Sequence, residues 1–131
     1  MAVVVGYVTT KEGSAALDAA VTEARRRDSR LVVVLARRSQ GEESSTLEAE
    51  ADTVRDLLDD ADIAYDIRQL RRSEDVAESL VATAEEVGAE LIVIGLRRRS
   101  PVGKLILGSN AQRILLDAPC PVLAVKPVSA P

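Results

Sequence analysis

The chain has 131 residues, a formal net charge of −4, no histidine and one cysteine, Cys120. This inventory excludes Ser-His-Asp triads, zinc sites built from His and Cys, and structural disulfides, while the acidic balance removes any general attraction to nucleic acid or anionic lipid. Hydrophobic residues make up 47% of the chain but aromatic residues only 2%, so the core has to be Val, Leu, Ile and Ala, and stacking platforms for single-stranded nucleic acid are missing.

A chain of this length is expected to form one domain, residues 1–131, burying roughly two thirds of the surface its unfolded form exposes. Ala2 to Val8 is a short β-branched run and predicts a first strand. No basic region precedes it and the run is too short to span a bilayer, which with the lone thiol leads to the expectation of a cytosolic protein. A polar loop, Thr9-Thr10-Lys11-Glu12-Gly13, follows. From Ser14, Ala16, Leu17, Ala20, Val21 and Ala24 recur at helical spacing, and Arg25-Arg26-Arg27 supplies the charge a helix carboxyl end prefers.

Leu31 to Ala36 predicts a second strand, and the polar stretch from Arg37 to Ser45 a loop. A helix from about Thr46 to Asp60 would place Leu47, Ala51, Val54, Leu58 and Ala61 on one face. Ile63 to Leu70 alternates apolar and polar residues, so this third strand is expected at a sheet edge. Ser73 would cap a helix carrying Val76, Leu80, Ala84 and Val87 inward and stopping at Gly88.

Leu91-Ile92-Val93-Ile94 is aliphatic without polar alternation, the pattern of a strand covered on both faces. Gly95 would release the backbone from strand geometry, and Arg97-Arg98-Arg99 concentrates positive charge just beyond. After a loop through Ser100, Pro101 and Gly103, Ser109 followed by Gln112 reads as a capping box for a helix aligning Ala111, Ile114, Leu115 and Ala118. Pro119-Cys120-Pro121 would break it, and Val122 to Val125 predicts a fifth strand.

Strict alternation of five strands with four helices means an α/β domain, a parallel sheet with right-handed crossovers and helices on both faces. In such sheets ligands bind beyond the carboxyl ends of the strands, and the amino terminus of a helix there attracts anions. The arginine run is either a solvated face or a phosphate contact, and Cys120 reads as a small buried hydrophobe.

Three phosphate chemistries fail on particular residues. A P-loop would need Gly at 98 and Ser or Thr at 105, where the chain has Arg98 and Leu105. Gly6-Tyr7-Val8-Thr9-Thr10-Lys11 is not a dinucleotide fingerprint. Lys126-Pro127 is similar to a receiver domain, but Val8-Thr9 and Gln69-Leu70 stand where its acidic residues would be needed.

Across its length the chain resembles the small single-domain type of the universal stress protein family. The resemblance is carried by Val4-Val5-Gly6-Tyr7, Gly13-Ser14-Ala15-Ala16-Leu17-Asp18, Ala89-Glu90-Leu91-Ile92-Val93-Ile94-Gly95, Leu107-Gly108-Ser109 and Ala118-Pro119-Cys120-Pro121-Val122-Leu123-Ala124-Val125. It implies a three-layer α/β/α domain of the adenine nucleotide alpha hydrolase-like kind, with strand order 3-2-1-4-5. Nucleotide-binding members share a glycine, two residues, a second glycine, nine residues, then Gly-Ser or Gly-Thr. Gly95 and Gly108-Ser109 match that spacing, Arg98 holds the second glycine position, and Val8 stands where an aspartate is common.

The resemblance implies an adenine nucleotide, ATP, ADP or AMP, with adenine near Val8 and the Leu35-Ala36 strand end. Ribose and phosphates would meet Gly95, Gly108, Ser109 and Asn110, helped by Arg98 and Ser100. Arginine offers a forked side-chain donor in place of bare backbone, while loss of the aspartate removes a candidate ligand for Mg²⁺, so weak or metal-independent binding is expected. No general base is placed to activate water, which favours a sensor or regulator over a slow ATP hydrolase. The alternative is an interaction module without nucleotide, its arginines meeting an acidic partner. Both readings share an expected homodimer, because Val122 to Val125 would be an apolar edge strand, paired across a two-fold axis as the resemblance implies.

Overall fold

The structure, a computed structural model, describes residues 1–7, 11–36, 44–70, 74–96 and 108–127. Strands β1 (Ala2–Tyr7), β2 (Arg30–Leu35), β3 (Tyr65–Gln69), β4 (Ala89–Gly95) and β5 (Val122–Val125) alternate with helices α1 (Lys11–Arg27), α2 (Ser44–Ala61), α3 (Val76–Val87) and α4 (Ser109–Asp117). The strands form one parallel sheet in the expected order, β3-β2-β1-β4-β5.

Successive side chains of a strand point to opposite faces, so the uniformly apolar strands divide into two cores. Val3, Val5, Leu31, Val33, Leu91 and Val93 pack against Ala16, Leu17 and Ala20 of α1 and Ala51, Val54 and Leu58 of α2. Val4, Val32, Val34, Ile92 and Ile94 pack on the other face against Ala77, Leu80 and Ala84 of α3 and Ile114 of α4. Alanine at the contact positions lets the helices sit close to the sheet.

The two outer strands differ. Along β3, Ile67 and Tyr65 pack toward the first core, while Arg68 donates to Glu86 of α3 at 2.8 Å and to Asp66 at 3.5 Å. At the opposite edge, Leu123 and Ala124 of β5 are exposed.

Helix ends depart from expectation. Lys11-Glu12-Gly13, expected as loop, form the first turn of α1, and α2 begins at Ser44, ahead of Thr46. The cap of α3 is Asp75, whose Oδ1 accepts the Glu78 N–H at 3.0 Å; Ser73 lies outside the described residues. The stop at Gly88 holds, with φ +63° and its N–H turned back to the carbonyls of Ala84 and Glu85. In α4, Ile114 is buried as expected but Leu115 is 43% exposed.

Ile92 is fully buried at the centre of the second core. Ile92→Ala should lower the unfolding free energy by about 2–5 kcal/mol, whereas Leu57→Ala, on the exposed side of α2, should cost less than about 1 kcal/mol. Urea denaturation followed by circular dichroism checks the difference.

Candidate functional site

The carboxyl edge of the sheet is built by register. Tyr7 pairs with Leu35 and Leu35 with Gln69, while Gly95 pairs with Val125. Beyond these, Ala36 donates its N–H to the Tyr7 carbonyl at 2.9 Å and Leu96 to the Val125 carbonyl at 2.8 Å. Ala36 and Gly95 are therefore fixed on this edge by main-chain bonds. Val8, Arg98 and Ser100 lie outside the described residues, as do Arg97 and Arg99.

Gly95 does not leave strand geometry, contrary to the sequence expectation: it is the last residue of β4 and lacks a positive φ. Its requirement is space. A Cβ there would lie 2.3 Å from the carbonyl oxygen of Glu12, so the first turn of α1 occupies the place a side chain would take. This seat also explains why α1 starts before Ser14. It brings the amino terminus of α1, the positive end of its helix dipole, to the carboxyl edge.

The amino terminus of α4 reaches the same edge from the other face. Because β5 is parallel to β4, α4 has to return the chain from the carboxyl edge to the amino edge. Its N-cap is Gly108, with no side-chain capping bond, so the expected Ser109 cap is corrected: Ser109 is already the first helical residue. The first intrahelical bond runs from the Gln112 N–H to the Gly108 carbonyl at 3.1 Å, which leaves the N–H groups of Ser109, Asn110 and Ala111 without an intrahelical acceptor. Ser109 and Asn110 are exposed.

Among the described residues nothing demands glycine at 108. Its φ is −70°, open to any residue, and an added Cβ would meet nothing within 4 Å. Ala36 and Ile114 share one core, so the Ala36 and Gly108-Ser109-Asn110 positions lie toward one face of the sheet, while the missing side chain of Gly95 faces α1 on the other.

The sequence reading missed a contact that positions α4. Arg113 donates to Asp75 Oδ2 at 2.9 Å, tying α4 to the residue that caps α3. The Glu78 N–H, and after it the Arg113 guanidinium, hold the Asp75 carboxyl below the usual carboxylate range. Beside this pair, an open groove of about 200 Å³ separates the two helices, floored by Ala77, Val81 and Ala82 and flanked by Glu85 and Asp117. None of the expected site residues lines it. Cys120 is half-buried and packs on the second core, and burial pushes its thiol up. Among the described residues there is no cluster of three or more metal-ligating side chains, and no helix long and apolar enough to cross a membrane.

Residues 1–126 match the sequence model of the universal stress protein family. The chain belongs to that family. A universal stress protein of Mycolicibacterium smegmatis is 43% identical over 95% of this chain and 97% of its own length. A solved universal stress protein from Archaeoglobus fulgidus superposes with a TM-score of 0.77 at 31% identity, covering 95% of this chain and 97% of that one. Another from the same organism, solved in complex with dAMP, superposes with a TM-score of 0.72 at 24% identity over 95% and 96% of the two chains.

Two predictions test this geometry. Gly95→Ala should displace the first turn of α1 and cost about 1–3 kcal/mol in urea unfolding, because the obstructing atom is backbone oxygen and not a side chain able to rotate. For Asp75, the folded pKa lies below the unfolded one, so its stabilising effect is complete above the unfolded value and is lost as pH falls through the folded value. Thermal midpoints measured from neutral pH down into that acid range should fall less steeply in Asp75→Asn than in the parent.

Proposed function

We propose that this universal stress protein is a regulator that binds an adenine nucleotide at the carboxyl edge of its sheet. The observation that carries the reading is Gly108. Among the described residues a serine or aspartate there would meet no obstacle and could cap α4, yet the position holds glycine and makes no side-chain capping bond. An exposed, uncapped amino terminus at the carboxyl edge of a parallel sheet is suited to a phosphate.

In this reading adenine rests by Val8 and Ala36, and the phosphate meets the N–H groups of Ser109 and Asn110. The main chain of Gly95 and Gly108 lines the approach. Arg98 and Ser100 add side-chain donors where other family members use a second glycine. The dAMP complex of the Archaeoglobus fulgidus relative supports the ligand class. With Val8 in place of an aspartate, binding does not depend on Mg²⁺.

The protein acts as a homodimer in this reading, joined through Val122–Val125. Support comes from the contrast between edges: β3 carries Asp66 and Arg68, whereas β5 exposes Leu123 and Ala124.

Calorimetric titration with AMP, ADP, ATP and adenosine, with and without Mg²⁺, tests the proposal. Gly108→Asp should fold at least as stably as the parent but bind AMP at least about tenfold more weakly, since its carboxylate would take the N–H groups and repel the phosphate. Arg98→Ala should lose about tenfold in AMP affinity and little in adenosine affinity. Unaltered AMP binding in Gly108→Asp would remove the phosphate from α4, and equal losses for AMP and adenosine would remove Arg98 from the site. If the parent binds none of the four ligands, the interaction-module reading replaces this one.

A further inference from the structure

The open groove between α3 and α4 lies apart from the candidate nucleotide site, and its rim is acidic. Both helices run from the carboxyl edge of the sheet to its amino edge over the second core, so their carboxyl ends point the same way. The floor of Ala77, Val81 and Ala82 is apolar, and the groove holds about 200 Å³. Glu78, Glu85 and Asp117 flank it; all three are exposed, and none forms an ion pair with another described residue. The cation in its wall, Arg113, is already bound to Asp75 at 2.9 Å.

Within the chain these carboxylates stand in an unfavourable place. A helix carboxyl end carries the negative pole of the dipole and favours Lys or Arg. α1 meets this with Arg25-Arg26-Arg27, and the Ala61 carbonyl at the end of α2 accepts from Arg25. Neither α3 nor α4 has a basic residue in its last turn; Glu85 lies in the last turn of α3, and Asp117 is the last residue of α4. Arg68 meets Glu86 at 2.8 Å, which leaves Glu85 to the groove. Two negative dipole ends and three carboxylates thus border one apolar floor, with no uncommitted cation among the described residues that line it.

We propose that this groove docks a basic linear segment of a partner protein. Arginine and lysine match both parts of the surface: the methylene stem covers Ala77, Val81 and Ala82, and the charged head meets Glu85, Asp117 and the two helix ends. Alanine at 77 and 82 keeps the floor low enough for a stem to lie along it. The incoming charge offsets a like-charge repulsion that the folded chain leaves in place. The Arg113–Asp75 pair stands at the end nearer the carboxyl edge, so docking needs no nucleotide and does not compete with one.

Fluorescence anisotropy with a fluorescein-labelled peptide of alternating arginine and alanine, at physiological salt, is the test. The parent should bind this peptide and should not bind its counterpart with glutamate in place of arginine. Glu85→Gln combined with Asp117→Asn should weaken binding about fivefold, the effect of losing two exposed charge contacts. Asp56→Asn combined with Asp60→Asn makes the same change in net charge on exposed residues of α2 and should alter affinity less than about twofold, because charges beyond about 8 Å are screened. Ala82→Leu fills the floor from an exposed position, keeps every charge and should also weaken binding about fivefold, with urea unfolding showing that each variant remains folded. Equal losses in the two charge variants, or unaltered affinity in Ala82→Leu, would reduce the attraction to general charge and overturn the groove. Displacement of the peptide by an equal concentration of spermidine overturns a peptide as the occupant. Absence of binding to the parent overturns the proposal outright, and self-association of the parent that Glu85→Gln with Asp117→Asn abolishes would give the groove to a second copy of this chain instead.

Discussion

Three adjacent strands of this sheet, β2, β1 and β4, carry apolar side chains on both faces, and that one constraint governs the architecture. Val3, Val4, Val5, Val32, Val33 and Ile92 are fully excluded from water, so each face needs its own layer of helix. With only two tyrosines and no larger aromatic residue, the layers are joined by aliphatic side chains on the strands and alanines on the helices. Alanine permits close approach, and at the end of β4 the approach becomes complete: the Glu12 carbonyl stands where Gly95 has no side chain. The position of α1, and with it one wall of the carboxyl edge, follows from how thin the packing is.

The same economy leaves the two edges unequal. β3 is half covered and carries Arg68 in bonds to Glu86 and Asp66, a charged fringe that opposes the addition of another strand. β5 has no such fringe, since Leu123 and Ala124 face solvent between Pro121 and Pro127. In the proposed dimer one bare edge suffices, because each copy would use the same surface once and neither would be left with a site for a third.

What could be read from the residues, and what could not, divides by the range of the interaction. Strands and helices were legible because their apolar periodicity is local, and Gly88 was legible because glycine holds φ +63° at a helix end without side-chain strain, whereas Asp28 (φ 52°) and Asp62 (φ 56°) follow α1 and α2 in the same region without that signal. Strand order came from the family resemblance, since alternation alone does not fix it. Helix starts were misplaced wherever tertiary contacts chose among neighbouring candidates: Glu12 docks against Gly95, so α1 begins before Ser14, and Asp75 is held by Arg113, 38 residues away, where a cap at Ser73 was expected. Leu115 was expected inward because its spacing suits a helix on a broad surface, but α4 buries only Ile114. The groove between α3 and α4 has no sequence signature, because its walls come from two helices that only tertiary packing brings together.

The two glycines of the Gly95…Gly108-Ser109 spacing also stand in different surroundings. Gly95 is fixed by packing, and any family member whose first helix sits this close would need it whether or not a ligand binds. Gly108 has an ordinary φ and, among the described residues, open space, so neither strain nor crowding by them accounts for it. Relative to serine or aspartate, glycine at an N-cap loses only a few tenths of a kcal/mol of helix stability. A capping side chain would gain that small amount by occupying the N–H groups an incoming phosphate would use. The cap and the ligand compete for the same donors, and a glycine that the fold does not require is what a helix amino terminus kept free for an anion would carry.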